Sequence, residues 1–473
     1  MRKIKVLMVS AEMTPIAKVG GLADVVGALP KALLNLNCEV KIAIPFYGSI
    51  DTRKNKVKKI VDTKVEINGK REKIQTWSMF LEKVEVLLIK HKYFSVNTIY
   101  TDNKNGQDDF KRFAFFSKAA LESIKTMDWQ VDIVHCHDWH AALIPVFLKT
   151  AYKNDKFFEK TKTLFTIHNL AMQGKANALI VRFCQLTPSF PSITADLSDN
   201  EFNFMYQGLV NTAQINTVSP TYAKEILTKE YGAGLDKVLK IRKGDLSGII
   251  NGIDVDFFNP ENDKLIKYRY TSKELDKKAL NKLYLQKELG LPQDRNKPVV
   301  GIVSRLVWQK GIELVTEKFA GLDCQFVFLG TGQKETEEHL LKLAKKFPDK
   351  FSVQIKFDVG LAQRIYAGSD IFLMPSLFEP CGLGQLIAMR YGTVPVVRAT
   401  GGLADTVDEN VGFSFSKFDS NVLHKTLAQA IKVYSSQPKA WKKLIQNGMK
   451  KDFSWQKSAK EYLKLYTKLA KVK

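Results

Sequence analysis

The stretch Pro375 to Arg398 reads P-S-L-F-E-P-C-G-L-G-Q-L-I-A-M-R-Y-G-T-V-P-V-V-R. Just upstream, Ile371 to Met374 is an apolar run bounded by turn residues, which predicts a buried strand. A loop carrying one carboxylate, Glu379, comes next. Gly382 and Gly384 then let backbone approach a ligand closely, and Leu383 to Tyr391 predicts a helix. A strand end, an acid, glycines and a helix start make a site for an anion such as a diphosphate. The competing account is a plain strand-to-helix turn in which Glu379 caps the helix. The pattern alone leaves both open.

The same rhythm recurs around this stretch. Val299 to Val303 predicts a strand, followed by S-R-L-V-W-Q-K-G, where Arg305 and Lys310 are two fixed cations that can hold a diphosphate or simply face solvent. Phe326 to Gly332, F-V-F-L-G-T-G, is a strand ending in a glycine-rich turn of the kind found at nucleotide edges. Phe351 to Phe357 predicts another strand, with Phe357 as the candidate for stacking on a base. Thr400-Gly401-Gly402 places a glycine pair at a helix start.

The N-terminal half starts the rhythm earlier. Val6 to Val9 predicts a first strand closed by Ser10-Ala11-Glu12, and Lys18 precedes Gly20-Gly21 with a helix from about Leu22. Glycines between strand and helix allow close approach to an anion, and Lys18 adds a point charge; an ordinary loop with an incidental lysine is the alternative. Val40 to Ile44 is a second strand, and Val57 to Ile89 alternates charged and apolar residues, predicting antiparallel strands beside a parallel sheet. His91 to Tyr100 reads as a loop, and a helix opens at Asp108-Asp109 and runs to about Lys125. Val131 to His140, V-D-I-V-H-C-H-D-W-H, puts three histidines and Asp138 at a strand's end. Strand geometry gives His135 and His137 a shared face, which suits a polar cluster at the sheet's ligand edge better than a tetrahedral metal site. Leu164 to Leu170 predicts a strand ending in His168-Asn169, whereas Ala176 to Ser198 shows no clear pattern. Three glycines around Ile249-Ile250 mark a crossing between domains near Ile250. Ala459, Tyr462, Leu463, Tyr466 and Leu469 define one face of a C-terminal helix.

A chain of 473 residues exceeds one ordinary core, and 45% hydrophobic and 11% aromatic content is ample for two. No apolar run reaches roughly twenty residues, so no membrane span is expected. The N-terminal run, interrupted by Glu12 and Lys18, reads as a strand and not as a signal peptide. Five scattered cysteines form no C-x-x-C pair and, being odd in number, no closed disulfide set, which points to a reducing cytoplasm. Cys381 has no base beside it in sequence and reads as a packing or loop residue, not a nucleophile. The net charge of +23 suits anionic partners, and Arg53 to Lys59 is a local basic run. No nucleic-acid-binding signature accompanies it, so no nucleic-acid partner is expected.

F-E-P-C-G-L-x-Q-L, followed by Y-G-T-x-P-V-V-R-x-T-G-G-L-A-D-T-V, resembles the donor-site signature of bacterial glycogen synthases and plant starch synthases. K-x-G-G-L-A-D-V, H-x-H-D-W-H-A, T-x-H-N-L-A-x-Q-G and S-R-L-x-x-Q-K-G match the same family, so the resemblance spans most of the chain. It implies an α/β fold of two Rossmann-like domains facing across a cleft, the glycosyltransferase-B architecture. The expected domains are residues 1–249 and 250–452, with 453–473 a helix returning to the first. The implied reaction is retaining transfer of glucose from ADP-glucose to an α-1,4-glucan, without a metal. The resemblance makes Glu379, His168, Asp138, Arg305 and Lys310 catalytic. It assigns Lys18, Gly20, Gly21, Gly332, Phe357, Cys381, Gly382, Leu383, Gly384, Thr400 and Gly401 to the donor, and Asp24, Tyr100 and Asn169 to the acceptor side. The chain departs from the family at Tyr206, where Lys is usual, and at Gly384, where Thr is frequent. A transferase using UDP-glucose or another acceptor, and a non-catalytic glucan-binding relative, are the alternatives. The sequence carries no sign of oligomeric state.

Overall fold

The computed structural model describes residues 2–101 and 108–471. They divide into two compact units. The first runs through Val218, resumes over Ala223–Gly252 and closes from Trp455 onward; the second comprises Ser219–Tyr222 and Ile253–Ser454. The division thus falls after Gly252 instead of after 249, and a four-residue excursion joins the second unit well before it.

In the first unit, among the described residues, the strands β1 (Ile4–Val9), β2 (Cys38–Pro45), β3 (Lys58–Ile67), β4 (Lys70–Leu81), β5 (Val84–Lys90), β6 (Ile133–His137) and β7 (Lys162–Ile167) join one sheet. After a separate two-stranded antiparallel pair, β8 (Lys175–Asn177) and β9 (Glu201–Asn203), β10 (Gln214–Thr217) and β11 (Leu246–Gly248) complete it. The order is β11-β10-β7-β6-β1-β2-β5-β4-β3. Pairing is parallel except that β4 runs antiparallel to both β3 and β5, as the charged–apolar alternation of that segment requires. The antiparallel pair β8–β9 and the short helices between its strands, at Leu179–Phe183 and Pro191–Asp196, organise the segment that shows no pattern in sequence.

The C-terminal helix, Trp455–Ala470, belongs to this unit and packs on the first helix, Gly21–Leu34. Tyr462 and Tyr466 are fully buried. The Tyr466 hydroxyl lies 2.8 Å from His135 Nδ1, and Asn216 donates to the Tyr462 hydroxyl at 3.0 Å. These bonds satisfy polar groups that burial would otherwise penalise.

The second unit holds a fully parallel sheet among the described residues. Its strands are β12 (Val299–Val303), β13 (Gln325–Gly330), β14 (Phe351–Ile355), β15 (Ile371–Met374), β16 (Val394–Arg398) and β17 (Phe413–Phe415), in the order β14-β13-β12-β15-β16-β17. The strands are almost continuously apolar because helices cover both faces. Ile371 and Leu373 face one core with Phe326, Phe328, Leu423 and Trp441. Phe372 faces the other with Leu386, Tyr391 and Leu403. Each such buried side chain contributes about 1.5–3 kcal/mol relative to exposure. β14 ends at Ile355, so the expected strand to Phe357 stops two residues short of it, and Phe357 stands in the turn beyond.

Candidate active site

In the first unit, polar groups gather at the C-terminal ends of three neighbouring strands, β1, β6 and β7. This is the edge where parallel sheets present ligands. Asp138 follows β6, buried, in a left-handed conformation with φ 54° and ψ −174°. Its Oδ1 accepts from the amide of His168 at 2.7 Å and from that of Asn169 at 3.5 Å, so it shapes the loop after β7. His168 Nε2 lies 2.9 Å from His137 Nδ1, so one of the two rings donates to the other. His135 is engaged at both nitrogens, by Tyr466 and by the Thr166 hydroxyl at 2.7 Å. The His135 and His137 rings are 4.1 Å apart, sharing a face as the strand geometry requires. Among the described residues, no group of three or more His, Cys, Asp or Glu is placed to hold a metal ion.

The loop after β1 is organised by Glu12. Its carboxylate accepts from the consecutive amides of Val19 and Gly20, each at 2.7 Å, and from the Tyr100 hydroxyl. Gly20's amide is therefore turned inward to a carboxylate, not outward to an anion as the sequence suggests. Lys18 pairs with Asp24 at 2.6 Å, and Thr14 donates to the same oxygen at 3.1 Å. Asp24, expected on the acceptor side, is thus Lys18's counter-charge. A Cβ at Gly20 or Gly21 would meet nothing within 4 Å, so packing does not demand glycine at either position.

In the second unit the corresponding edge carries Glu379. Its side chain is buried, with Oε2 2.6 Å from Lys310 Nζ and 2.9 Å from the Ser376 hydroxyl. Gln309, next to Lys310, donates to the Phe378 carbonyl at 3.1 Å, and its own carbonyl accepts from the Leu377 amide at 2.9 Å. The Q-K-G segment is therefore bolted to the Glu379 loop. Gly311 is left-handed at φ 66°, and a Cβ there would come within 2.2 Å of the Pro375 carbonyl. Arg398 closes the loop from the far side, donating to the Ser376 and Leu377 carbonyls and to Ser416. Gly402 donates to the Glu379 and Pro380 carbonyls at 3.1 and 3.2 Å. Arg305 is exposed at the end of β12, and Phe357 is 81% exposed.

Two descriptions of known proteins cover most of the chain: "Starch synthase catalytic domain" over residues 5–241 and "Glycosyl transferases group 1" over residues 287–451. The chain is 46% identical to the glycogen synthase of Thermosipho melanesiensis, over 98% of its own length and 99% of the relative's. It is 44% identical to that of Thermotoga maritima, over 99% and 100%. The chain belongs to the glycogen and starch synthase family. Its fold matches the catalytic domain of starch synthase IV from Arabidopsis thaliana bound to ADP and acarbose, with a TM-score of 0.91 and 34% identity over the whole of both chains. A sucrose-phosphate synthase from Thermosynechococcus elongatus shares the fold at a TM-score of 0.65 and 18% identity. This family member is a glycosyltransferase of the two-domain, glycosyltransferase-B class.

Gly384, where the sequence resemblance sets a threonine as frequent, has a packing cause. A Cβ there would lie 2.9 Å from the buried Phe372 ring, so the ring fills the space a threonine side chain needs. Tyr206 sits half-buried in the first turn of helix Phe204–Asn211, its amide donating to the Asn203 cap. Gly332 is fixed by packing on the Leu306 carbonyl, and its amide donates to Glu337 at 2.8 Å. Gly401 is left-handed at φ 45°, and a Cβ there would press within 2.0 Å of the Glu379 carbonyl. Cys381 is buried and its carbonyl packs on Gly402, while Leu383 precedes helix Gly384–Arg390 and Gly382 is left-handed at φ 73°.

Sequence reasoning missed Glu12, which reads there only as the residue ending an apolar run. It also missed Ser376, Arg398 and Asp405, whose carboxylate clasps Ser219 and Thr221 within the second unit. The signal for Glu12 was its place at a strand end just before the glycine loop; Arg398 and Asp405 act through contacts that spacing does not encode.

Burial sets the titration of the first unit's cluster. It pushes His135, His140 and His168 down to about 3, and His137 well below the ordinary range. It pushes Asp138 up to about 7, against the pull of the two amides it accepts. An unfolded chain protonates all four histidines below about 6.5, whereas the folded chain does not, so their contribution falls with acid. Asp138 works the other way. It keeps its proton when folded and loses it when unfolded above about 4, so its contribution falls as pH rises towards 7. Between about pH 4.5 and 6 the unfolded chain therefore binds more protons at these five groups than the folded chain, and their net contribution to stability falls on acidification. Urea unfolding across that range should show the His168→Gln chain losing less stability on acidification than the wild type. A flat profile contradicts a neutral buried cluster.

Proposed function

We propose that the chain transfers glucose from ADP-glucose to the non-reducing end of an α-1,4-glucan with retention of configuration. The observation that carries this reading is the Lys310–Glu379–Ser376 constellation at a parallel sheet's ligand edge. It occurs in a chain whose fold matches a starch synthase bound to ADP. Lys310 and Arg305 take the charge that develops on the leaving diphosphate, the task a metal ion performs in other transferases. Glu379 binds glucosyl hydroxyls. Phe357, Gly332, Cys381, Gly382, Leu383, Gly384, Thr400 and Gly401 line the nucleotide sugar. The first unit contributes Lys18 and Gly21 towards the donor, and His168, Asn169, Asp138 and Tyr100 towards the sugar and acceptor. The attack is from the front face, with the leaving phosphate as base. Five buried free cysteines suit a reducing, cytoplasmic setting.

The test is transfer of labelled glucose onto glycogen from ADP-glucose and from UDP-glucose, with EDTA present. The expected result is transfer from ADP-glucose that EDTA leaves unchanged. A preference for UDP-glucose would reassign the donor, and loss of activity with EDTA would reinstate a metal. Binding of glycogen without transfer from either donor would leave only a glucan-binding role.

A further inference from the structure

Glu12 is nearly fully buried, at 3% exposure, yet it faces no basic side chain among its hydrogen-bond partners. Its charge is met by two consecutive backbone amides and one phenol. Such charge-assisted bonds are roughly twice as strong as neutral ones, and consecutive amides converging on one oxygen form a small anion nest. Besides the Lys18–Asp24 pair and the Ala23 amide on the Gly20 carbonyl at 3.3 Å, few contacts hold the loop that supplies those amides. Val19 is 54% exposed, and the space beside Gly20 and Gly21 is open. Its ends are tied by the Met13–Ala17 bridge and by the Thr14 amide donating to the Ala23 carbonyl at 3.0 Å. Between those ties, the Glu12 carboxylate fixes the peptides immediately after Lys18. The same carboxylate receives the Tyr100 hydroxyl from a distant segment, and Tyr100 in turn stacks on His140 at 5.2 Å.

We propose that Glu12 is a positioning residue for glucosyl transfer: its buried carboxylate fixes the Lys18–Gly21 loop and joins it to Tyr100, so that Lys18 and the Gly21 amide are presented in one place. This rests on the transferase reading above and deepens it, because it explains why a lysine on an exposed glycine loop can act with fixed geometry. A glutamine at this position is isosteric but uncharged: its carbonyl oxygen can still face the two amides, with its NH2 towards the Tyr100 hydroxyl, so the charge assistance is lost and the phenol bond is reversed.

The test is a double-mutant cycle with steady-state transfer kinetics on the full chain. Glu12→Gln is expected to lower kcat/KM for the donor at least about tenfold in the wild-type background. In a Lys18→Ala background it should lower it less than about threefold, because the group it positions is gone. A purely structural role would lower activity by the same factor in both backgrounds, and that result overturns the proposal, as does wild-type kcat/KM in Glu12→Gln. Tyr100→Phe keeps both amide bonds and removes only the phenol; it should show a smaller loss with the same dependence on Lys18, and serves if Glu12→Gln does not fold. Hydrogen exchange at the Val19 and Gly20 amides gives a readout independent of catalysis. Both should be protected in the wild type and at least tenfold faster in Glu12→Gln, and unprotected wild-type amides would refute the hold. If the wild-type chain transfers no glucose, the functional reading fails, while exchange still decides whether Glu12 fixes the loop.

Discussion

Replacing Glu379 by alanine is expected to cut kcat by roughly a thousandfold while leaving glycogen affinity nearly unchanged. The size follows from what the carboxylate holds. It is buried, receives the Ser376 hydroxyl at 2.9 Å and lies 2.6 Å from Lys310, whose ammonium is itself mostly covered. On the proposed reading, removing it withdraws a contact to the transferred sugar and frees the lysine that should meet the leaving group. Breaking one side of a buried pair costs about 3–5 kcal/mol of stability, because the remaining charge is stranded. Unfolding of Glu379→Ala should therefore be followed beside its kinetics. Glu379→Gln keeps the shape and an oxygen for Lys310 but not the charge; it should fall about a hundredfold and still lose part of the pair's stability. If Glu379→Ala keeps more than a tenth of wild-type kcat, this residue is not at the chemistry.

The second large effect is expected at Asp138, where stability and activity should separate. Its backbone, at φ 54° and ψ −174°, lies in a region that is almost exclusive to glycine and costs other residues about 1–3 kcal/mol. Asp138→Gly relieves that cost but loses the acceptor for the His168 and Asn169 amides, a loss of similar size. Its melting temperature should stay within a few degrees of wild type, whereas kcat falls at least about a hundredfold because the His168 loop loses its anchor. Asp138→Ala keeps the strain and loses the bonds, so both quantities should drop. An active Asp138→Gly would mean that the strained carboxylate serves folding alone.

These two sites mark the difference between what the chain's pattern reveals and what it hides. The strand rhythm was legible because burial on both faces writes itself as unbroken apolar runs, such as Val299–Val303 and Ile371–Met374. The antiparallel extension was legible because one wet face writes itself as alternation. Lys310 and Glu379 were each visible as chemistry at a strand end, but not as partners, since sixty-nine residues separate them. Glu12 stayed hidden for a related reason. Its role depends on where two amides point, and amides leave no trace in a side-chain pattern. Phe357 was placed on a strand because its neighbours alternate, although β14 stops at Ile355. The excursion of Ser219–Tyr222 into the second unit was equally silent, being secured by Asp405 far along the chain.

The helix Trp455–Ala470 gives the ribosome a particular order of work. The whole of the second unit is made before this helix, yet the helix completes the first unit's core and supplies the hydroxyl that meets His135. The half of the protein that leaves the ribosome first is therefore the half that must wait. Until Tyr462 and Tyr466 arrive, a strip of apolar surface on the first helix and the buried histidine ladder beneath it stand open to water and to chaperones. Truncating the chain before Trp455 should thus strand a nascent first unit while the second, already whole, folds normally.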